Sequence, residues 1–317
     1  MDANSLKNTF GGFQQDDVSK DIIFNSGKVR DIFDAGDQLV ISTSDRISAF
    51  DRILSTIPHK GEVLNRLSLF WFDKTNDIIP NHIAKKISAR TIAVKKCEVL
   101  PVEVIVRGYL TGSAWRDYQD GKAVSGIELP AGMKMNQKFD VPLLTPSTKA
   151  EFGEHDMPIS CEEIVKQGLV EESLWRKVEK AALELFTFGS KLLENNGLIL
   201  VDTKYEFGIL DGELVIVDEM HTPDSSRFWY ADTYEELFKA GEKQRKIDKE
   251  YLRQWLMEEK NFMGKGDIPE IPDEVRLEVA NRYIKAYEQI TGTDFVPESL
   301  SSKEEILAVS EYLSTVK

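Results

Sequence analysis

Three charged residues alternate with uncharged ones in the segment 200–208, where Asp202, Lys204 and Glu206 lie two positions apart. In an extended chain, residues two apart face the same side, so the three charged groups would share one face. Asp218 ends the next predicted strand, and its carboxylate could approach Glu206. Convergent carboxylates on strands suit a magnesium ion that carries nucleotide phosphates. The alternative is a ladder of salt bridges on a solvent-exposed face of the sheet. The apolar residues that flank the three charged ones favour the metal site.

A second candidate group contains arginines and hydroxyl side chains. Arg107 ends an apolar strand, and Ser113 follows six positions later in a glycine-containing loop. Arg227 comes directly after two serines, beyond the strand that carries Asp218. Guanidinium and hydroxyl groups together are suited to holding a phosphate or carboxylate. An arginine that only caps a strand end remains the alternative.

A third candidate lies near the N-terminus, where Lys28 and Arg30 follow Gly27. If this segment is extended, the two cations face the same side and could cover a polyphosphate, and the glycine would allow a close backbone approach. The spacing does not match a P-loop. On these residues alone, a tight hairpin with two solvated cations is the favoured interpretation.

The elements predicted to position these residues form a β-rich first part and an α+β second part. Short β-branched runs separated by turn residues predict an antiparallel meander over residues 21–44. Asp211-Gly212 between two apolar runs predicts a hairpin, and residues 110–160 are expected to be rich in loops. Apolar spacing and capping residues predict the remaining strands and helices: strands at 91–94, 102–106 and 198–201, and helices at 64–72, 174–192, 234–246, 251–258, 273–290 and 302–313.

Composition excludes several classes of function. The chain has 317 residues, a net charge of −14 and 41% hydrophobic residues, as expected for a folded protein that does not coat nucleic acid. No apolar run is long enough for a membrane span, and the first residues lack a secretory signal, so we expect a cytoplasmic protein. The four histidines form no short metal-binding pattern, although His155 and His221 lie in polar loops where they could contact a substrate.

Several segments together resemble one enzyme family. They are GKVRDIF, SDRISAFD, KGEVLNRLS, PVEVIVRGYLTGS, PLLTPSTKAEFGEHD, LILVDTKYEFG and VDEMHTPDSSRFW, in this order from residue 26 to residue 229. This set resembles the phosphoribosylaminoimidazole-succinocarboxamide synthase family, also called SAICAR synthetase. The segments 100–113 and 200–208 agree with the family's signature patterns at each defining position. Residues from 234 onward carry no useful resemblance.

The resemblance implies an ATP-dependent ligase of de novo purine synthesis. Such an enzyme joins the carboxylate of carboxyaminoimidazole ribonucleotide to the amino group of L-aspartate and releases ADP and phosphate. It also implies an α+β fold with a two-lobed architecture similar to ATP-grasp and kinase-like proteins. We therefore expect a β-rich nucleotide-covering lobe at residues 1–102 and a larger α+β lobe at 103–317, with the substrate and magnesium site and the C-terminal helices. The oligomeric state is not determined by these patterns.

The resemblance also implies roles for individual residues. The ATP phosphates would lie under Lys28 and Arg30. Glu103 would lie at the adenine hinge, and Lys149 would lie near the transferred phosphate. Magnesium would be held by Glu206 and Asp218. The ribonucleotide site would contain Arg107, Ser113 and Arg227, with Ser48 and Asp51 as further substrate contacts. The reacting carboxylate would lie beside Asp202 and Lys204, with Asp202 as the candidate acceptor of the amine proton.

Two further functions stay open at this point. A kinase-like phosphotransferase would share the nucleotide site but would not require aspartate for turnover. A non-catalytic nucleotide-binding module would bind ATP without releasing phosphate. The ligase has a specific need for the cations, because its carboxylate must attack a phosphoryl group, and this step brings two anions together.

Overall fold

A computed structural model describes residues 5–50, 52–149, 156–247 and 250–316 of the protein. The chain divides into two compact units. Unit 1 contains Met1–Phe70, His82–Lys96 and Asp248–Lys317, and unit 2 contains Trp71–Asn81 and Cys97–Ile247. Compactness alone does not define a folding domain, so the boundary expected between residues 102 and 103 stays a prediction.

Strands and helices alternate irregularly along the described residues. The strands are β1 (Ile23–Ser26), β2 (Arg30–Asp34), β3 (Gln38–Thr43), β4 (Arg46–Ala49), β5 (Arg52–Thr56), β6 (Ile83–Lys86), β7 (Thr91–Lys95), β8 (Glu98–Val99), β9 (Val102–Tyr109), β10 (Lys138–Leu144), β11 (Ser147–Thr148), β12 (Leu198–Leu210), β13 (Glu213–Val217) and β14 (Ser226–Tyr230). The α-helices are α1 (Lys60–Lys74), α2 (Gly112–Gln119), α3 (Cys161–Lys166), α4 (Glu172–Asn195), α5 (Ala231–Ala240), α6 (Glu250–Lys260), α7 (Asp273–Thr291) and α8 (Ser302–Thr315). Within the described ranges, no helix has both the length and the apolar character that a membrane span requires.

Unit 1 is built around an antiparallel sheet with the strand order β1-β2-β3-β7-β6. The predicted meander is therefore confirmed as β1, β2 and β3. Alternate residues of β2 are buried, and Phe33 of β2 and Val40 of β3 pack in one apolar cluster with Val309 and Leu313 of α8. Helix α8 begins with the predicted capping box, in which Ser301 and Glu304 satisfy each other's backbone N–H groups.

Unit 2 is organised by β12, a strand of 13 residues. One edge of β12 pairs with β9, and β14 and β13 pair with successive parts of β12. Within the described residues, β12 pairs with its neighbours in antiparallel fashion, and β10 extends the sheet beyond β9. A strand with neighbours along both edges has little freedom to move, so side chains on its faces are held in fixed positions.

Two local predictions in unit 2 are confirmed in detail. The predicted helix at 174–192 lies within α4, whose apolar positions such as Val178 and Leu185 are buried. The predicted hairpin joins β12 and β13, with Leu210 opposite Glu213. Asp211 and Gly212 both have positive φ, 52° and 84°, as a two-residue turn that follows the sheet twist requires.

Other predicted elements differ from the structure. Residues 110–160 contain α2, β10 and β11 and are less irregular than expected. The helix predicted at 234–246 is wrong at its C-terminal end, because α5 stops before Gly241, which takes a left-handed conformation and ends the helix. Helix α1 extends beyond the predicted range 64–72 in both directions.

Candidate active site

Strand β12 carries Asp202, Lys204 and Glu206 on one face, as the period-two spacing predicts. Pairing then adds residues from the neighbouring strands. Asp202 lies opposite Arg107 of β9 and also opposite Arg227 of β14. Because both arginines come from strands that pair with the same residue, the sheet register brings two guanidinium groups to one carboxylate.

The arginine–aspartate cluster consists of Arg107, Ser113, Asp202 and Arg227. Asp202 Oδ2 accepts from Nη1 of Arg107 at 3.1 Å and from Nη1 of Arg227 at 2.5 Å. Arg107 Nη2 also donates to Ser113 Oγ at 3.1 Å, and its Nε donates to Thr145 Oγ1 at 2.8 Å. Every nitrogen of the Arg107 guanidinium thus donates a hydrogen bond. Burial lowers the pKa of this group, and the charge of Asp202 opposes that effect.

Gly112 is needed for this arrangement. Its φ is +61°, and a Cβ atom built on it would lie 2.5 Å from Nη1 of Arg227. Any other residue would displace the Arg227 guanidinium or strain the backbone. The sequence shows Gly112 only as part of a predicted loop. Its close approach to Arg227 depends on a contact between α2 and β14, which are distant in the chain.

The lysine–carboxylate cluster consists of Glu103, Lys149, Lys204, Glu206 and Asp218. Nζ of Lys204 lies 2.7 Å from Glu103 Oε1, 2.5 Å from Glu206 Oε1 and 4.0 Å from Asp218 Oδ2. Nζ of Lys149 lies 2.5 Å from the other oxygen of Glu206. The carboxylates of Glu206 and Asp218 thus both face the ammonium group of Lys204.

Electrostatics in this cluster keep Lys204 charged. Burial opposes its ammonium form, but the carboxylates of Glu206, Asp218 and Glu103 raise its pKa well above the ordinary value. Burial would raise the pKa of Glu206, whereas the two lysines lower it to about 2. Lys204 is therefore a fixed positive charge and cannot serve as a base at neutral pH.

The two clusters carry opposite net charges when their groups are ionised. Two guanidiniums and one carboxylate leave one positive charge in the arginine–aspartate cluster, and two ammoniums and three carboxylates leave one negative charge in the lysine–carboxylate cluster. The first arrangement suits a phosphate or carboxylate ligand. The second suits a cation that accompanies phosphates.

Four other predicted site residues remain. Three of them lie in unit 1, and the structure does not describe the fourth. Lys28 is exposed in the turn between β1 and β2 and is not in a strand, so the period-two argument does not apply to it. Arg30 is the first residue of β2, and Ser48 is a half-buried residue of β4. Asp51 lies outside the described residues, as does His155.

The structure buries His221, which the sequence placed in a polar loop. Its side chain is fully buried, and its Nε2 lies 2.6 Å from the hydroxyl of Tyr205 on the other face of β12. Burial lowers the pKa of His221 to about 3, so the imidazole is neutral. A histidine in a polar stretch of sequence can turn inward when the backbone permits it, and His221 has φ = 51°.

Sequence reasoning missed Thr145, Gly112 and Tyr205 as contributors to the site. Thr145 and Gly112 fix the two arginines, and Tyr205 holds His221 beneath the loop that begins at Asp218. Thr145 and Gly112 lie in stretches that resemble the family signature, which is the signal that could have found them. Their contacts depend on strand register, which the sequence alone does not show.

The donor atoms fit a magnesium ion that reaches the site with a nucleotide. Magnesium is commonly held by one or two carboxylates together with substrate phosphates, and Glu206 and Asp218 are two carboxylates around one point. Among the residues that the structure describes, no group of three or more histidines, cysteines or carboxylates could hold a metal by itself. The site therefore suits a metal–nucleotide complex and not an all-protein cage.

A buried strand that carries a net positive cluster and a net negative cluster on one face favours an enzyme that handles charged substrates. Comparison with known proteins identifies its class more closely. The sequence model of the SAICAR synthetase family matches residues 23–267. A phosphoribosylaminoimidazole-succinocarboxamide synthase of Legionella pneumophila is 46% identical over 279 residues, which cover 86% of this chain and 89% of the relative.

Solved structures agree with this result. A SAICAR synthase from Saccharomyces cerevisiae complexed with SAICAR has a TM-score of 0.78 and 36% identity, covering 87% of this chain and 97% of the yeast chain. A type-2 SAICAR synthetase in complex with ADP has a TM-score of 0.65 and 25% identity, covering 87% of this chain and all of the other.

The chain belongs to the SAICAR synthetase family. It is an amide-forming, ADP-forming ligase of purine biosynthesis that joins carboxyaminoimidazole ribonucleotide and L-aspartate at the expense of ATP. The predicted α+β, ATP-grasp-like fold is also confirmed. Of the functions that the sequence left open, the phosphotransferase and the non-catalytic module are therefore excluded.

Proposed function

We propose that the ligation proceeds through an acyl phosphate and that the two clusters divide the work between them. A carboxylate oxygen of the ribonucleotide attacks the γ-phosphorus of ATP, and the bond to the bridging oxygen breaks so that ADP leaves with the electron pair. The amine nitrogen of aspartate then attacks the acyl carbon. The bond from this carbon to the phosphate oxygen breaks, inorganic phosphate leaves, and the new amide nitrogen loses a proton.

The opposite net charge of the two clusters on one strand face is the observation that carries this proposal. At about 3.3 Å per residue, the Cα atoms of Asp202 and Glu206 lie roughly 13 Å apart along β12. An elongated anionic substrate can thus contact the arginines at one end and present its reacting group at the other. Strand pairing holds both ends of β12, which favours a fixed distance between the two clusters.

The arginine–aspartate cluster is proposed to bind the anionic part of the ribonucleotide. Arg107 and Arg227 would donate to it, and the hydroxyl of Ser113 would complete the site. The contacts of Asp202 with both guanidiniums suit a residue that orients them. We also propose that Asp202 accepts the proton of the amine. This role requires that the bound substrate change the contacts of Asp202 with the two arginines.

The lysine–carboxylate cluster is proposed to serve phosphoryl transfer, with Lys149 and Lys204 as positive charges near the transferred group. Phosphoryl transfer depends largely on positioning and charge stabilisation. Glu206 and Asp218 would hold the magnesium ion, which when bound neutralises the nucleotide phosphates. Glu103 lies within hydrogen-bond distance of Lys204, so its proposed position at the adenine hinge would place the base near this lysine.

Residues of unit 1 complete the proposal. Lys28 and Arg30 would cover the ATP phosphates, and Ser48 and Asp51 would contact a substrate. The complex of a related enzyme with ADP supports nucleotide binding, and the yeast complex with SAICAR supports small-molecule substrates. The net charge of −14 argues against a nucleic-acid partner, and a cytoplasmic location remains our expectation.

Isotope transfer tests the acyl phosphate. The ribonucleotide is labelled with ¹⁸O in its carboxylate, converted with ATP and aspartate, and the products are analysed by mass spectrometry. The proposal expects one ¹⁸O atom in inorganic phosphate for each turnover. Label that appears in AMP or in water would contradict it, and phosphate release without aspartate at the full rate would show that amide formation is not coupled.

A further inference from the structure

The segment 218–225 connects β13 to β14, two strands that pair with different parts of β12. It therefore passes over residues 204 and 205, and the backbone N–H of Lys204 donates to the carbonyl of Ser225 at 3.0 Å. Asp218 is the first residue of this connection and contributes to the lysine–carboxylate cluster. The position of the Asp218 carboxylate thus depends on how the connection is held.

The backbone of the connection is in an unusual conformation at two places. Asp218 has φ = 64° and His221 has φ = 51°, in the left-handed region that is unfavourable for a non-glycine residue. Such a conformation persists only where surrounding contacts enforce it. For this connection, the side chain of His221 provides such a contact.

His221 points away from the cluster and into the core of unit 2. Its Nε2 is 2.6 Å from the hydroxyl of Tyr205, and its ring lies edge-on to that of Trp71 with centroids 4.6 Å apart. Helix α4 makes room for the ring at Gly189, because a Cβ atom there would lie 2.3 Å from Cε1 of His221. The pocket is thus shaped for an imidazole in this position.

Packing alone does not explain a histidine at this position. Among the residues that the structure describes, none forms a hydrogen bond with the buried Nδ1 of His221, and leaving a buried polar atom unsatisfied is unfavourable. An apolar ring of similar size would avoid this cost. The bond between Nε2 and Tyr205 is therefore the specific feature that an apolar ring could not reproduce.

We propose that His221 and Tyr205 are positioning residues that hold Asp218 beside Glu206 for the metal–nucleotide complex. Tyr205 lies between Lys204 and Glu206 in β12, so its hydroxyl connects the Asp218 loop to the strand that carries the other half of the site. This inference rests on the proposed role of Asp218 and Glu206 as magnesium ligands. Outer residues that orient metal ligands commonly change metal affinity by 10–100-fold when they are removed.

Tyr205→Phe removes the hydroxyl and retains the ring. We expect it to weaken binding of the Mn²⁺–ADP complex, measured by electron paramagnetic resonance, by about tenfold, with ribonucleotide affinity unchanged. Tyr234→Phe is the matched control, because it removes another buried tyrosine hydroxyl, which donates to the carbonyl of Asn136 at 3.0 Å. This control is expected to lower the melting temperature without changing Mn²⁺–ADP affinity.

A second pair of variants applies if Tyr205→Phe does not fold. His221→Gln places an amide near the position of Nε2, and His221→Phe cannot form the bond. We expect His221→Gln to retain substantially tighter Mn²⁺–ADP binding than His221→Phe. Equal affinities in this pair, or Tyr205→Phe with unchanged affinity, would overturn the proposal.

Asp218→Asn separates this inference from the function on which it rests. If Asp218→Asn weakens Mn²⁺–ADP binding and Tyr205→Phe does not, the positioning role fails and the metal site stands. If Asp218→Asn itself leaves the affinity unchanged, the proposed metal site fails, and the positioning role fails with it.

Discussion

The two clusters on β12 contain similar kinds of charged groups and differ in how these groups are shared. In the arginine–aspartate cluster one carboxylate serves two cations, whereas in the lysine–carboxylate cluster one ammonium contacts three carboxylates. The first is left with a positive charge and the second with a negative charge. A single strand face can therefore offer an anion site and a cation site because its neighbours supply different partners at each end.

The clusters also differ in how firmly their cations are held. The Arg107 side chain is 10% exposed and each of its guanidinium nitrogens has a partner, whereas the Lys149 side chain is 43% exposed and forms an ion pair with Glu206. A rigid guanidinium suits recognition of a fixed anion. A flexible ammonium suits a group that changes position during phosphoryl transfer.

The largest effect is expected from removing one of the carboxylates that we propose as magnesium ligands. Glu206→Gln and Asp218→Asn should each lower turnover by about 100-fold or more, because a charged group that organises the phosphates is lost. Steady-state rates at varied magnesium measure this effect. Glu213→Gln, an exposed residue in the same hairpin, is the control and should retain the wild-type rate. Near wild-type turnover of either variant at limiting magnesium would show that the metal assignment is wrong.

Lys204→Met is expected to lower kcat by about 100-fold with comparatively little change in ribonucleotide affinity. The reason is that its ammonium stabilises charge that develops in the transition state. Single-turnover rates, magnesium affinity and melting temperature are measured on one preparation. Lys177→Met, at an exposed position of α4, is the control. An unchanged chemical step with a large loss of thermal stability would mean that Lys204 only separates the carboxylates.

Arg107→Met should weaken binding of the ribonucleotide much more than binding of ATP. A charged hydrogen bond to a ligand typically contributes about 1.5–3 kcal/mol, which corresponds to a loss of tens- to about a hundredfold. Calorimetric titration with each ligand provides the comparison. Arg116→Met on the exposed side of α2 should change neither affinity. Equal weakening of both ligands would indicate that Arg107 is structural.

The smallest effect is expected from Gly112→Ala. The added Cβ would push the Arg227 guanidinium away from Asp202, so ribonucleotide binding should weaken by several-fold, and the positive φ should cost about 1 kcal/mol of stability. Gly132→Ala is a matched control, since Gly132 also has a positive φ of 84° but has open space around its Cβ position. If both variants lose stability and neither loses affinity for the ribonucleotide, the close approach of Gly112 to Arg227 is not needed for binding.

Sequence reasoning predicted the features that depend on neighbouring residues. The meander, the Asp211-Gly212 turn and the shared face of Asp202, Lys204 and Glu206 follow from local conformational preferences and from the two-residue period of strands. The capping box at Ser301 is equally local. Each of these is confirmed, as expected for a feature that neighbouring residues determine.

Features that depend on register and distant packing were not predicted. The pairing of Asp202 with both arginines requires knowledge of which strands flank β12, and the inward turn of His221 depends on the space at Gly189. Helix α5 ends earlier than predicted because Gly241 takes a left-handed conformation at its C-terminus. The resemblance to the family named candidate site residues, and the structure shows which of them lie together.

Binding of both ligands to two variants tests the central claim most directly. Ribonucleotide and Mg²⁺–ATP are titrated calorimetrically into Arg107→Met and into Glu206→Gln. The account predicts a crossed result, in which Arg107→Met loses mainly ribonucleotide affinity and Glu206→Gln loses mainly Mg²⁺–ATP affinity. If both variants weaken the two ligands in the same proportion, the clusters do not divide the work, and the proposed roles on β12 are contradicted.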